Sequence, residues 1–514
     1  MQITTMMISM EDGHVASAIA GLASLLPGSF KDWAIFLTIL GIALPCLWVV
    51  YSLTLHPLAK IPGPKWAAIS QVFYCRMSMS GKIHLQLEEL HRQYGDVVRI
   101  APNELSFATA SAWKDIYNTT GSGTFIKSTF YKVANFEASD IIGESDINEH
   151  ARMRRLWAFG FSAKALIAHE ELEQRYVDLL INQIQKFGSS PQGMNVVDWF
   201  NYLTFDIIGE LVFGESFGAT EKGTSAFWIS VILGNMQAGA IIDVLRRFGM
   251  VLGFKKVFEL LPFEKIKDMN RHTQVTREMA ARRLARPKDD ARTDFLSAML
   301  ENAGQGVIST EEVAAQGQNL VIAGSETTAT TLSAATYFIL KHPEVYAKMR
   351  DEIRSRFKDY SEITSSSVGQ LPYFHAVLNE TMRLYPPVPF GPPRISPGAY
   401  VDGHYIPKKT EVSVHAWTTN RDARYFSDPT RFDPERWLDP NMDDKSAFFP
   451  FLLGPRVCLG RNLAFIELRL VLAKVHFMFD CELVNDDVDL ERESLNYILW
   501  QKPDINVRFV PRQT

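Results

Sequence analysis

At 514 residues the chain exceeds one ordinary domain, yet it has no internal repeat and no low-complexity linker. It therefore reads as one large core with a small N-terminal appendage. A composition of 46% hydrophobic and 22% charged residues with a net charge of −5 is that of a globular protein and gives no support for nucleic-acid binding, which needs a basic face. Cys46, Cys75, Cys458 and Cys481 form no disulfide framework, which points to a reducing compartment.

In chain order, residues 1–32 read as a lumenal tail, in which Val15 to Leu26 is a second, weaker apolar stretch. Residues 33–53 carry no charge and are long enough to cross a bilayer as a helix, with Trp33, Trp48 and Tyr51 toward its ends and Pro45 predicting a kink. Lys60, Lys65 and Arg76 follow it, and this positive flank places the rest of the chain in the cytosol. Residues 54–66, with Pro57, Pro62 and Pro64, predict a stiff, extended linker to a cytosolic domain over 67–514.

The run from Tyr94 to Ala110, broken by Pro102-Asn103, predicts a β-hairpin, and Asp402-Gly403 predicts another. Between them, residues 150 to 390 are mostly helical in pattern. The longest element starts at Ser309, where Ser309 and Glu312 make a capping-box pattern, and runs to His342-Pro343. At 1.5 Å per residue it is roughly 50 Å long, a central strut rather than a coiled coil. The fold class is mainly α with small β-sheets.

At the strut's midpoint, Ala323-Gly324-Ser325-Glu326-Thr327-Thr328 interrupts an apolar run. Gly324 has two readings: close helix packing, with hydroxyls bonded back to carbonyls, or a groove where a flat cofactor presses on the backbone. In the second, Thr327 and Glu326 relay protons into a dry pocket. Glu380 and Arg383 share a helix face, and Arg436, within Phe432-Asp433-Pro434-Glu435-Arg436-Trp437, is placed to join them as a buried structural triad. Arg154, Arg394 and Arg456 suit either solvated faces or convergence on the carboxylates of a haem.

The decapeptide Phe451-Leu452-Leu453-Gly454-Pro455-Arg456-Val457-Cys458-Leu459-Gly460 suits a thiolate ligand for haem iron. Gly454 and Gly460 allow tight turns that aim amides at the sulfur, and Phe451 can shield it. Asn118-Thr119-Thr120 and Asn379-Glu380-Thr381 fit the glycosylation sequon, but a cytosolic domain predicts neither is modified.

Taken together and in order, these segments resemble the cytochrome P-450 family, from the anchor to the end of the chain, and the anchor and linker resemble those of fungal members of the endoplasmic reticulum. The cysteine loop matches the family's Phe-x-x-Gly-x-Arg-x-Cys-x-Gly pattern in full. The resemblance implies a long central helix over haem b, with Cys458 as axial ligand. Arg154, Arg394 and Arg456 would hold the propionates, with Phe451, Gly454, Gly460 and Gly324 around the cofactor. Thr327 and Glu326 would serve the proton network. His150 stands where many members carry tryptophan and is expected to reach a propionate.

The implied activity is monooxygenation of an apolar small molecule in fungal secondary metabolism, on a terpenoid, polyketide or alkaloid. Its oxygen comes from O2 and its electrons from NADPH through a separate reductase, with cytochrome b5 a further donor. The enzyme is expected as a monomer in membrane lipid. The alternatives are a same-fold isomerase or dehydratase that needs no oxygen, and a non-catalytic haem-binding protein. Expected pocket walls are Phe125, Tyr131 and Phe136, residues 225 to 255, Val388-Pro389-Phe390 and Tyr497-Ile498-Leu499, all apolar in character.

Overall fold

The computed structural model describes residues 29–131, 136–224, 231, 236–249, 264–286, 294–297 and 308–513. The apolar stretch from Val15 to Leu26, and most of residues 225 to 255, lie outside the described residues.

The uncharged segment forms helix α1, Phe30–Val50, extended by a π-helical turn over Tyr51–Leu55. None of the α1 side chains is buried against the rest of the protein, whereas Ser52 of the π-turn is, and the helix is long and apolar enough to cross a membrane. The linker is not extended as predicted. Ala59 N–H bonds to His56 C=O at 2.8 Å and Ile61 N–H to Leu58 C=O at 3.1 Å, so the segment folds into turns and Leu58 enters the core. Arg99 explains why. Buried, with no carboxylate beside it, it donates to the carbonyls of Ser52 at 2.9 Å and Ala68 at 3.3 Å and ties the anchor's end to the domain.

Helices α2 (Val72–Met79) and α3 (Ile83–Tyr94) precede the predicted hairpin, β1 (Val97–Ala101) and β2 (Glu104–Phe107), which pair antiparallel. Helix α4 (Ala110–Tyr117), strand β3 (Ile126–Lys127) and helices α5 (Ile147–Ala158) and α6 (Ala163–Phe187) follow. After β4 (Met194–Asn195) come α7 (Val196–Phe213), α8 (Met236–Arg247) and α9 (Glu264–Leu284). The predicted strut is α10, Thr310–Lys341, 32 residues long. Only half of its capping box forms. Ser309 Oγ accepts from the Glu312 N–H at 3.0 Å, but the Glu312 carboxylate turns outward to Arg152 at 2.7 Å, where an ion pair replaces the reciprocal cap bond.

Helices α11 (Pro343–Arg356) and α12 (Pro372–Leu384) lead to β5 (Arg394–Ile395), the hairpin β6 (Ala399–Val401) and β7 (His404–Ile406), and β8 (Glu411–Val414). Asp402 (φ 48°) and Gly403 (φ 75°) both take the left-handed conformation of the predicted turn. Helix α13 (Arg461–Met478) runs into β9 (Phe479–Leu483), and β10 (Leu495–Tyr497), β11 (Leu499–Gln501) and β12 (Asn506–Pro511) end the chain. One sheet has the order β1-β2-β8-β5-β3, with β2 and β8 parallel, and another β4-β12-β9.

The main core forms around α10, which packs against α7, α9, α12 and α13. Along its middle third, Gln318, Asn319, Ile322, Ala323, Gly324 and Thr327 stay partly accessible. Three of them, Asn319, Ala323 and Thr327, are spaced four apart and share one helix face.

Candidate functional site

The cysteine loop is built by packing against α4. Gly454 sits at φ 73°, and a Cβ there would meet the Tyr117 carbonyl oxygen at 2.3 Å. No side chain fits at that point. Leu452 is also left-handed, at φ 62°, and Cys458 N–H closes the loop onto Phe451 C=O at 2.8 Å. Gly460 differs from expectation: its φ is −82°, open to any residue, and a Cβ would have only Phe161 nearby, at 3.9 Å. Its part is as N-cap of α13, where its own N–H and that of Arg461 bond to the Cys458 sulfur.

Burial pushes the Cys458 thiol up, while the Gly460 N–H, the Arg154 charge and the Arg461 N–H pull it down. The cysteine nevertheless retains accessible surface. A thiol enclosed by protein yet accessible faces an internal cleft. The Phe451 ring lies against Phe465 of α13, with ring centroids 5.3 Å apart.

A cavity of about 390 Å³ brings His150, Arg154, Arg394 and Arg456 together from α5, β5 and the cysteine loop, walled also by Tyr117, Thr119, Thr120 and Phe125. Arg394 is 3% exposed, and its Nη1 is buried without a partner. Burial and the neighbouring Arg394 charge lower Arg456 to about 10. Burial, then Arg456, Lys127, Arg154 and Arg394, lower His150 to about 3, so its ring is neutral. Arg154 also donates to the Val457 carbonyl at 2.7 Å, which joins this basic cavity to the cysteine loop. Repelling cations with an unsatisfied guanidinium N–H, beside an accessible thiol, fit a dianionic macrocycle with a soft metal. These residues fit haem. They are not a solvated basic face.

Gly324 is explained otherwise. A Cβ there would lie 2.8 Å from Ile208 Cδ1, so its bare side faces α7 and serves helix packing rather than a cofactor. The Thr327 hydroxyl donates back to the Ala323 carbonyl at 2.7 Å. Glu326 turns away from it: fully buried, its Oε2 accepts from Lys502 Nζ at 3.2 Å, and its Oε1 has no partner. Nothing in the spacing of the sequence flagged Lys502, a lone lysine between Trp500 and Pro503.

The triad is assembled as predicted, at 0% side-chain exposure for Glu380 and Arg383. Glu380 accepts from Arg383 Nε and Nη2, both at 2.8 Å, and from Arg436 Nε at 3.0 Å. Trp437 Nε1 and the Asp433 N–H, each at 2.9 Å, complete its shell, and Asp443 pairs with Arg436. Arg383 also donates to the carbonyls of Asn420, Pro429 and Arg431, which locks the loop before the cysteine segment.

The expected walls prove less apolar than predicted. Pro389, Phe390 and Ile498 line a second, small cavity, but so do Glu104, Asp243, Arg247 and Asn496. Arg247 joins Glu104 and Asp243 and stacks 3.6 Å above the Tyr74 ring.

The cytochrome P450 family model matches residues 60–509. The chain is 40% identical over 466 residues to cytochrome P450 monooxygenase ORF9 of Penicillium roqueforti, covering 90% of this chain and 91% of the relative. It is 41% identical to cytochrome P450 monooxygenase BOT4 of Botryotinia fuckeliana, with coverage of 89% and 88%. It is 40% identical to the averantin hydroxylase of Dothistroma septosporum, with coverage of 92% and 91%. With the thiolate loop, the basic cavity and the central helix in place, these matches close the question of kind: the chain belongs to the cytochrome P450 family and is a haem-thiolate monooxygenase.

Proposed function

We propose that the protein is an anchored haem b monooxygenase of fungal secondary metabolism, acting on an apolar small molecule with a terpenoid, polyketide or alkaloid skeleton. The observation that carries this reading is the accessible Cys458 sulfur, held by two amides and joined through Arg154 to a cavity of unpaired cations. When bound, the haem supplies the activation of dioxygen. The chain's own residues do the rest. Cys458 ligates the iron, while Arg154, Arg394 and Arg456, with neutral His150, hold the two propionates. Thr327, on the accessible face of α10, holds the distal hydrogen-bond network, and Glu326 feeds it protons.

Electrons come from NADPH through a separate flavoprotein reductase, with cytochrome b5 as a second donor. α1 holds a monomer in the endoplasmic reticulum membrane, with the tail (1–32) lumenal, residues 33–53 as anchor, 54–66 as linker and the catalytic domain (67–514) cytosolic. The relative named averantin hydroxylase supports a polyketide as the first skeleton to test.

The test is to incubate reductase-supported microsomes with extracts of the producing organism and with averantin. A product heavier by one oxygen, dependent on NADPH and O2, is the expected result. NADPH-independent turnover would instead select the isomerase or dehydratase reading. In parallel, Cys458→Ala is expected to abolish the thiolate-type spectrum of the reduced carbon-monoxide complex, and its retention would mean another ligand.

A further inference from the structure

Lys502 lies in the turn between β11 and β12, yet its side chain is only 2% exposed. Its ammonium donates to Glu326 Oε2 at 3.2 Å and to Thr330 Oγ1 at 2.9 Å. Thr330 is one helical turn along α10 from Glu326, so the lysine spans both from outside the helix. Enclosing an ammonium and a carboxylate costs several kcal/mol for each ion, and an apolar pair of similar volume is often as stable. This pair is also left incomplete, since Glu326 Oε1 is buried without a partner. A structural ion pair can satisfy both carboxylate oxygens, although Glu411 and Glu467 also keep one buried oxygen without a partner. Glu380 shows how this fold does so, with both oxygens multiply bonded.

Two exposed carboxylates, Asp504 and Asp198, stand near Lys502. Asp504, two residues on, is exposed and accepts from Asn195 Nδ2 at 3.0 Å. The same amide donates to the exposed Asp198 at 2.9 Å, and the Lys502 charge acts on Asp198. On the inner side, the Tyr385 hydroxyl, bonded to Ser494 at 2.7 Å, senses the Glu326 charge. Thr327, the next residue, carries the sequence onto the partly accessible face of α10.

We propose that Lys502 is a positioning residue for proton delivery, holding Glu326 by one oxygen so that the other stays free. This rests on the reading that Glu326 feeds Thr327. The proton that moves is taken up and released at Glu326 Oε1.

The experiment uses the full-length protein in reductase-supported microsomes and compares wild type with Lys502→Met, Lys502→Arg, Glu326→Gln and the Met/Gln double variant. Peroxide released per NADPH consumed is measured first. The infrared carboxyl stretch, read on the purified holoprotein, gives a measure that does not depend on turnover. Lys502→Met is expected to slow the proton-dependent step by roughly tenfold, the scale on which outer partners of a reactive group act, and so to raise the peroxide share. Lys502→Arg is expected to restore most of it. The double variant is expected to be no worse than Glu326→Gln, because the two residues act as one unit.

Lys502→Met is also expected to show a protonated-carboxyl band that is absent from the double variant, since an unpaired buried carboxylate takes up a proton. If Glu326→Gln changes the peroxide share and Lys502→Met changes neither readout, the positioning role is overturned. Additive losses in the double variant overturn it too. If Glu326→Gln itself has no effect, the reading of Glu326 falls, and the inference about Lys502 falls with it.

Discussion

Thr327 and Glu326 are neighbours in sequence and diverge in space, because successive side chains on a helix point about 100° apart. Thr327 stays on the accessible face with its hydroxyl parked on Ala323 C=O, whereas Glu326 is drawn behind the helix to Lys502. A hydroxyl bonded to its own helix can turn outward at small cost, since the net value of one such bond is about 1 kcal/mol. Thr327→Ala is therefore expected to retain haem and a normal carbon-monoxide spectrum while diverting reducing equivalents to peroxide. Unchanged peroxide per NADPH would remove Thr327 from the proton network. The motif made both residue types legible in the sequence, but not their different partners. Lys502 stands 176 residues from Glu326, beyond any local pattern.

Between elements, two contacts decide how α10 and α12 are held. Gly324 lets α7 approach α10, and a methyl group there would press on Ile208 Cδ1 at 2.8 Å. Gly324→Ala gains about 1 kcal/mol of helix propensity but costs about 1–3 kcal/mol in overpacking, for a net loss of up to about 2 kcal/mol. Ile208→Val removes the atom in closest approach. It is expected to destabilise the wild type by about 1 kcal/mol and to cost measurably less in the Gly324→Ala background, as read by denaturant titration of the double-mutant cycle.

The triad is the opposite case, a buried network with every oxygen of its central carboxylate engaged. Glu380→Gln leaves Arg383 enclosed without its counter-charge and Arg436 with Asp443 alone. A loss of about 3–5 kcal/mol is expected, visible as lost haem retention on mild heating. Glu380 and Arg383 announced themselves by spacing. Arg436 was legible in the Pro-Glu-Arg-Trp segment, but that Trp437 and Asp433 would close on the same carboxylate depended on the loop between α12 and the cysteine segment, which has no periodicity to read.

Across the whole molecule, acid sensitivity follows from neutral histidines sealed in the core. His476 of α13 is an example: burial, with Arg354 and Arg350 nearby, lowers it to about 3. A histidine depressed in the fold binds its proton more readily when unfolded. Its contribution is thus complete above the unfolded value near 6.5 and is lost as pH falls toward 3, at a slope of at most about 1.4 kcal/mol per pH unit. His476→Phe, which keeps a ring against Tyr346, is expected to flatten melting temperature against pH within that window. An unchanged slope would assign the sensitivity to other groups.

The amino-acid sequence alone determined the features that depend on contiguous residues: the uncharged anchor, the long capped helix, the two hairpins and the cysteine loop. Their physics is local, resting on periodicity, left-handed turns and the length of an apolar run. Only the tertiary structure decided what converges: four basic groups in one cavity, Gly324 packed on α7, a linker folded into turns, and Glu326 paired with Lys502. Those outcomes belong to pairs of residues far apart in the chain, and packing rather than pattern brings such pairs together.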